Sequence, residues 1–289
     1  MKKQSKMLDG KVAVVAGSSR GAGRGIALAL GDAGATVYVA ARTSRNGPSP
    51  YDNAPGTVED TAEKVTARGG KGIPVCCDLS DEKQVAALFE RVEADHGAPD
   101  VFVNSAWSVN FMAVWSKPFW ELESDIWRGT LATISTYWLG SVYAARLMAK
   151  KRRGLIVHVT DNQHKEPSAY RGQVLHDMAH ECINRLVTGM SLQGKSSNIT
   201  VVGLNPGFMR TERVMMVMTT DAIKKQFRFD LSESPEYIGR AVAALAADPK
   251  VKAKTGRLLW VADLAKEYRF TDIDGQLVPL FDPAAPEQP

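Results

Sequence analysis

Cysteine is scarce, with Cys76, Cys77 and Cys182 the only three in 289 residues. An adjacent pair and one distant partner make no disulfide framework, so a reducing, cytoplasmic setting is expected. Long hydrophobic runs are absent too. No stretch approaches the roughly 18 apolar residues of a membrane span, and the basic opening Met1–Lys6 is not followed by the apolar segment of a signal peptide. Charge of one sign is not in large excess: the net charge of +4 favours anionic ligands only weakly. Neither a nucleic acid nor a membrane is therefore an expected partner. The basic run Lys150-Lys151-Arg152-Arg153 reads as the cationic end of a helix closed by Gly154, which complements exposed carbonyls. Repeats and internal linkers are also missing, so a single domain over 1–289 is expected, with its core at 8–262 and a loose tail at 283–289. The balance of 44% hydrophobic and 24% charged residues excludes a disordered, collagen-like or coiled-coil chain. Tryptophan is the residue in surplus. Trp107, Trp115, Trp120, Trp127 and Trp138, five of the six, fall in one short stretch.

Short β-branched runs alternate with longer helical patterns, which predicts an α/β fold: a single Rossmann-type, doubly wound parallel sheet with helices on both faces. Strands are read at Val12–Ala16, Thr36–Ala41, Gly72–Cys76, Val101–Asn104, Leu155–Thr160, Ile199–Leu204 and Arg257–Val261. Helices are read at Gly21–Ala33, Val58–Arg68, Glu82–His96, about Glu123–Lys150 and about Arg171–Gly194. The strands are continuously apolar because a sheet covered on both faces has no solvated side. Cys76-Cys77 at a strand end reads as core rather than as a redox pair.

Between the first strand and first helix lies Gly17-Ser18-Ser19-Arg20-Gly21-Ala22-Gly23. Glycines in that position permit a tight turn and let backbone N–H groups approach a pyrophosphate at the helix N-terminus. The second strand ends in Ala40-Ala41-Arg42, without the acidic residue that would hold a ribose 2′-hydroxyl. Arg42 and Arg20 instead suit a 2′-phosphate, so the expected cofactor is NADP(H).

The glycine pattern at Gly17, Gly21 and Gly23, Asp78-Leu79 after the third strand, Asn104-Ser105-Ala106 after the fourth and Asn205-Pro206-Gly207 after the sixth together resemble the short-chain dehydrogenase/reductase family. Ala106-Trp107 and the segment Glu267–Gly275 are similar to one branch, the mammalian dehydrogenase/reductase member 1 group. The resemblance covers about residues 8–262. It implies a nicotinamide cofactor and a homodimer or homotetramer. It also implies cofactor contacts from Ser19, Asp78, Leu79, Asn104, Ala106, Pro206, Gly207 and Thr211.

The chemical end departs from that family, whose members use a serine after the fifth strand and a Tyr-x-x-x-Lys pair on the next helix. Here Asp161 stands at the serine position, with Thr160 beside it. Counting back from Pro206 places His176 at the tyrosine position and His180 at the lysine position. Tyr170 is the nearest tyrosine, but Val174 occupies its +4 position and it lies too near Asp161. The asparagine often found on the preceding helix is missing from Thr130–Ser135. Residues four apart share a helix face, and histidine titrates near neutrality without a tuning lysine. His176 is therefore expected to exchange the proton, His180 to hold the cofactor ribose or relay, and Asp161 to orient an imidazole. Tyr170 is kept as the rival acid. A zinc reading of His-Asp-x-x-His, with Asp161 or Glu166 as third ligand, is set aside because a dinucleotide fold turns this helix toward the nicotinamide.

The expected activity is that of an NADP-dependent oxidoreductase of the carbonyl reductase or alcohol dehydrogenase type. Its substrate is a small hydrophobic molecule, cyclic or aromatic. The competing expectation is an NADP-binding relative that runs non-redox acid–base chemistry or acts as an inactive sensor. Residues 208–234 read as a substrate lid, with Trp107, Trp115, Phe208 and Met209 in the pocket. Trp127 and Trp138, three helical turns apart, read as one stripe at a subunit contact.

Overall fold

The computed structural model describes residues 6–47, 53–111, 114–161 and 172–281. Tyr170, Glu166 and the tail at 283–289 lie outside them. Seven parallel strands form one sheet: β1 (Val12–Ala16), β2 (Thr36–Ala41), β3 (Lys71–Cys76), β4 (Val101–Asn104), β5 (Gly154–Val159), β6 (Ile199–Asn205) and β7 (Leu258–Trp260), in the order β3-β2-β1-β4-β5-β6-β7. The order reverses between β1 and β4. Their carboxyl ends there open the crevice where ligands bind in such sheets.

The helices are α1 (Gly21–Asp32), α2 (Val58–Ala67), α3 (Glu82–His96), α4 (Ser124–Lys151), α5 (Val174–Gly194), α6 (Glu212–Val217), α7 (Asp221–Gln226), α8 (Pro235–Ala247) and α9 (Val261–Tyr268). Alternate residues of β1 serve the two faces: Ala13 and Val15 pack toward α1, α2 and α8, whereas Val12 and Val14 pack toward α3 and α4. Burial on both faces accounts for the unbroken apolar strands. α1 and α8 cross closely because Gly25 and Gly239 meet; a Cβ on Gly25 would lie 1.9 Å from the Pro235 carbonyl oxygen.

The boundaries read from sequence hold to within a few residues, but helices α6 to α9 were not anticipated. Ser234 caps α8 and Pro235 occupies its first turn, a start signal that was present. Cys77 is buried as expected for core, but Cys76 is exposed, because β3 is an edge strand and turns that side chain outward. The basic run does close α4. Lys150 pairs with Glu93, and Lys151 and Arg153 pair with Asp100. Among the described residues, no helix is long and apolar enough to cross a membrane.

Candidate active site

A cleft of about 530 Å³ runs over the carboxyl ends of β1, β2, β4 and β5. At one end lies the turn from β1 into α1. Gly17 has φ +80°, and a Cβ there would sit 2.6 Å from the Ala106 Cα, so the turn can press against the loop after β4 only as glycine. The Gly21 N–H at the start of α1 donates to the Glu212 carboxylate at 2.7 Å. A helix N-terminus attracts anions, and here it already holds a carboxylate from the start of α6.

Ser19, Arg20, Gly21, Arg42, Asp78 and Leu79 all line the cleft, as do Ala106 beside Gly17 and Thr211 beside Gly21. No acidic side chain stands at the β2 terminus, where Ala41, Arg42 and Thr43 meet the cleft. The Arg20 guanidinium also donates to the Pro55 and Gly56 carbonyls. These residues fit a dinucleotide: small at the turn, with N–H groups at the helix end and a guanidinium beyond β2.

Three expected contributors sit elsewhere. Asn104 is fully buried; its amide donates to the Thr136 carbonyl and accepts the Ala106 N–H, so the side chain ties β4 to α4. Gly207 and its neighbour Pro206 do not line the cleft, and the Gly207 N–H donates to Glu233 at 3.1 Å. Phe208 packs against Phe281 and Phe229, at 5.7 and 6.4 Å between ring centres, in the base of the lid. Met209 does face the cleft.

The far end is built from α5, the end of β5 and the loop after β4. His176 and His180 lie 4.5 Å apart between ring centres, as their helical spacing requires. Trp107 stacks on His180 at 4.7 Å with 16° between the planes. Trp107, Phe111 and Trp115 surround His176 at 5.6, 5.3 and 5.0 Å. His180 is held from behind: its Nδ1 accepts the Asp161 N–H at 2.9 Å. The described contact between Asp161 and the imidazole thus runs through the backbone, not through the carboxylate on which the expectation rested. Asp161, His176 and His180 are brought together. Tyr170, outside the described residues, cannot be placed with them. Among the described residues, no three His, Cys, Asp or Glu side chains gather as a metal site.

Some lining residues have no warning in the sequence. Thr136 and Tyr137 reach the cleft from α4, and Arg213 reaches it from the lid. The Tyr137 hydroxyl donates to the Val159 carbonyl at 2.7 Å, and burial pushes its pKa well up. Tyr137 lies on the buried stripe of α4 with Thr133, Gly140, Ser141 and Ala144, whose helical spacing is the one signal that could have found it.

The lid is pinned at its base. The Glu233 N–H donates to the Phe208 carbonyl and the Arg210 N–H to the Glu233 carbonyl, both at 2.8 Å. Asp272, fully buried, accepts from the Ser234 N–H and from Arg210. Burial pushes the Glu233 carboxyl up to about 8. Beyond the base the lid methionines diverge, since Met218 is buried and Met215 and Met216 are exposed.

The short chain dehydrogenase family model matches residues 11–222. Mouse dehydrogenase/reductase SDR family member 1 is 36% identical over 282 residues, covering 94% of this chain and 86% of the mouse protein. The human protein of that name is 33% identical over the same shares of the two chains. Among solved structures, a 7 alpha-hydroxysteroid dehydrogenase complexed with NADH and 7-oxo glycochenodeoxycholic acid superposes with a TM-score of 0.72. It is 23% identical and covers 90% of this chain and 96% of its own.

Proposed function

The chain belongs to the short chain dehydrogenase family, and from that membership we propose that it is an NADP(H)-dependent oxidoreductase in which His176 replaces the usual tyrosine. The substrate is a hydrophobic cyclic or aromatic carbonyl compound or the corresponding alcohol. The observation that carries this reading is the placement of two histidines, one helical turn apart, in the cleft that begins at the glycine turn. The family uses nicotinamide cofactors. Arg42 at the end of β2, with no acid beside it, supports the 2′-phosphate form.

A bound nicotinamide supplies or accepts the hydride. The chain's own part is proton transfer and positioning. His176 exchanges the proton with the substrate oxygen, and Trp107, Phe111 and Trp115 exclude water and favour a flat ring. His180, stacked on Trp107, holds the ribose side. Asp161 and Thr160 shape the back of the site.

The test is NADPH absorbance followed with a panel of aromatic and alicyclic ketones. Consumption with at least one ketone is expected. Micromolar cofactor binding with no oxidation by any ketone would instead support a non-redox enzyme or sensor, a reading favoured by the missing tyrosine–lysine pair.

Two further elements complete the proposal. Trp127, Leu131 and Trp138 stand 44%, 44% and 52% exposed on one face of α4. A second copy packed about a two-fold axis would cover that stripe with itself. Light scattering should give a dimer or tetramer, and W127E/W138E should shift it to monomer. The three cysteines are free thiols, which accords with the cytoplasm.

A further inference from the structure

Behind the two histidines, Thr160 and Asn184 form a polar cluster around His180, and the reaction just described does not use Asn184. Thr160, Asn184 and His180 are each more than nine-tenths buried. The Asp161 N–H that donates to His180 Nδ1 belongs to a peptide plane and cannot rotate away. Its target must therefore be a lone pair, which leaves the imidazole proton on Nε2. Turning the ring over would present a carbon to the Asp161 N–H, and the stacked Trp107 face opposes that rotation.

The Asp161 peptide is itself held from α5. The Asn184 amide nitrogen faces two acceptors, the Asp161 carbonyl at 3.4 Å and Glu181 Oε1 at 3.3 Å. Its orientation follows: the Asn184 oxygen faces Thr160, whose hydroxyl donates to it at 2.8 Å. The Thr160 oxygen lies 3.3 Å from His180 Nδ1. With its proton on Asn184, that hydroxyl leaves the Asp161 amide as the group that sets the ring. His180 and Asn184 are one helical turn apart, so a single helix face presents both the imidazole and its brace.

We propose that Thr160 and Asn184 are positioning residues that lock His180 as a fixed Nε2–H donor. Relay through His180 would need both ring nitrogens to exchange protons, and Nδ1 is withheld. Proton exchange with substrate then falls to a group other than His180, which is His176 in the reading above. This inference rests on the functional reading above for its meaning, but its central readout does not need turnover.

That readout is long-range ¹H–¹⁵N correlation of the imidazoles in the full-length protein labelled at histidine, with H180Q assigning the resonance. Wild type should show His180 as a neutral Nε2–H tautomer with an unprotonated Nδ1. T160S should keep that signature, whereas T160V and N184A should give mixed tautomers. In those two variants the KM for NADPH should rise about tenfold, the worth of the one hydrogen bond that His180 gives the cofactor ribose, while kcat stays within about twofold. Should N184A fail to fold, the T160S and T160V pair decides. An Nδ1–H or cationic His180 in wild type would overturn the proposal, as would a single Nε2–H signal in both T160V and N184A. The wild-type signature without hydride transfer would leave this inference standing and refute only the oxidoreductase reading.

Discussion

At the α1 end of the cleft the backbone carries the recognition, whereas at the α5 end side chains do. Gly17 and Gly21 supply the shape of the turn and the N–H group at the helix end. At the other end Thr160, His176, His180 and Asn184 act through named atoms. A backbone-built site tolerates change in side-chain identity, so it stays recognisable across a family. A side-chain-built site can be re-equipped for different proton chemistry on the same frame. Asp161 joins the two styles: its backbone amide donates to the histidine.

The largest way to break this contrast is H176A. Turnover should fall by roughly 10²- to 10⁴-fold, the usual share of a general acid or base. NADPH affinity, set at the other end, should stay within a few-fold in a fluorescence titration. Unchanged turnover would move the proton to Tyr170.

R42A tests the cofactor end in isolation. Loss of a charge-assisted contact should weaken NADPH binding about 10- to 100-fold and leave NADH binding nearly unchanged. Equal losses for both dinucleotides would show that Arg42 does not read the 2′-phosphate.

Glu233 lies outside the cleft, at the base of the lid beneath the Gly207 turn. Burial raises its carboxyl from 4.5 to about 8, so between those values the folded state binds more protons than the unfolded chain. Stability should therefore decline as pH rises through that window. E233Q keeps an acceptor for the Gly207 N–H and cannot ionise, so its thermal unfolding curve should flatten. Above pH 8 it should exceed wild type by about 1–2 kcal/mol. Parallel pH profiles for the two proteins would remove Glu233 from this role.

The smallest expected change is at Glu212, whose carboxylate occupies the α1 N-terminus where a pyrophosphate would bind. E212A should tighten NADPH binding by roughly two- to fivefold, the scale of one exposed charge at a helix end. Weaker binding would mean that Glu212 holds the lid in its competent position.

The sheet was legible because its central strands are continuous apolar runs, as at Val12–Ala16 before Gly17 and at Val101–Val103 before Asn104. The histidine pair was legible because helix spacing alone puts positions 176 and 180 on one face. What escaped reading depends on the main chain or on long-range packing. Nothing in residue type reveals that Asp161 acts through its amide, or that Asn104 turns inward to Thr136. Phe208 reads as a pocket residue because it begins the segment expected as a lid, but at the pinned base it packs against Phe281 while Met209 faces the cleft. Helix α8 packs tightly on α1 through Gly25 and Gly239, a long-range glycine contact that residue type does not announce.

The most direct test of the central claim is a crystal structure with NADP⁺ and a ring-containing alcohol or ketone. The account predicts the 2′-phosphate beside Arg42 and the His176 imidazole within hydrogen-bond reach of the ligand oxygen at the nicotinamide C4. A nicotinamide C4 faced by Tyr170, or a ligand oxygen out of reach of His176, would contradict it.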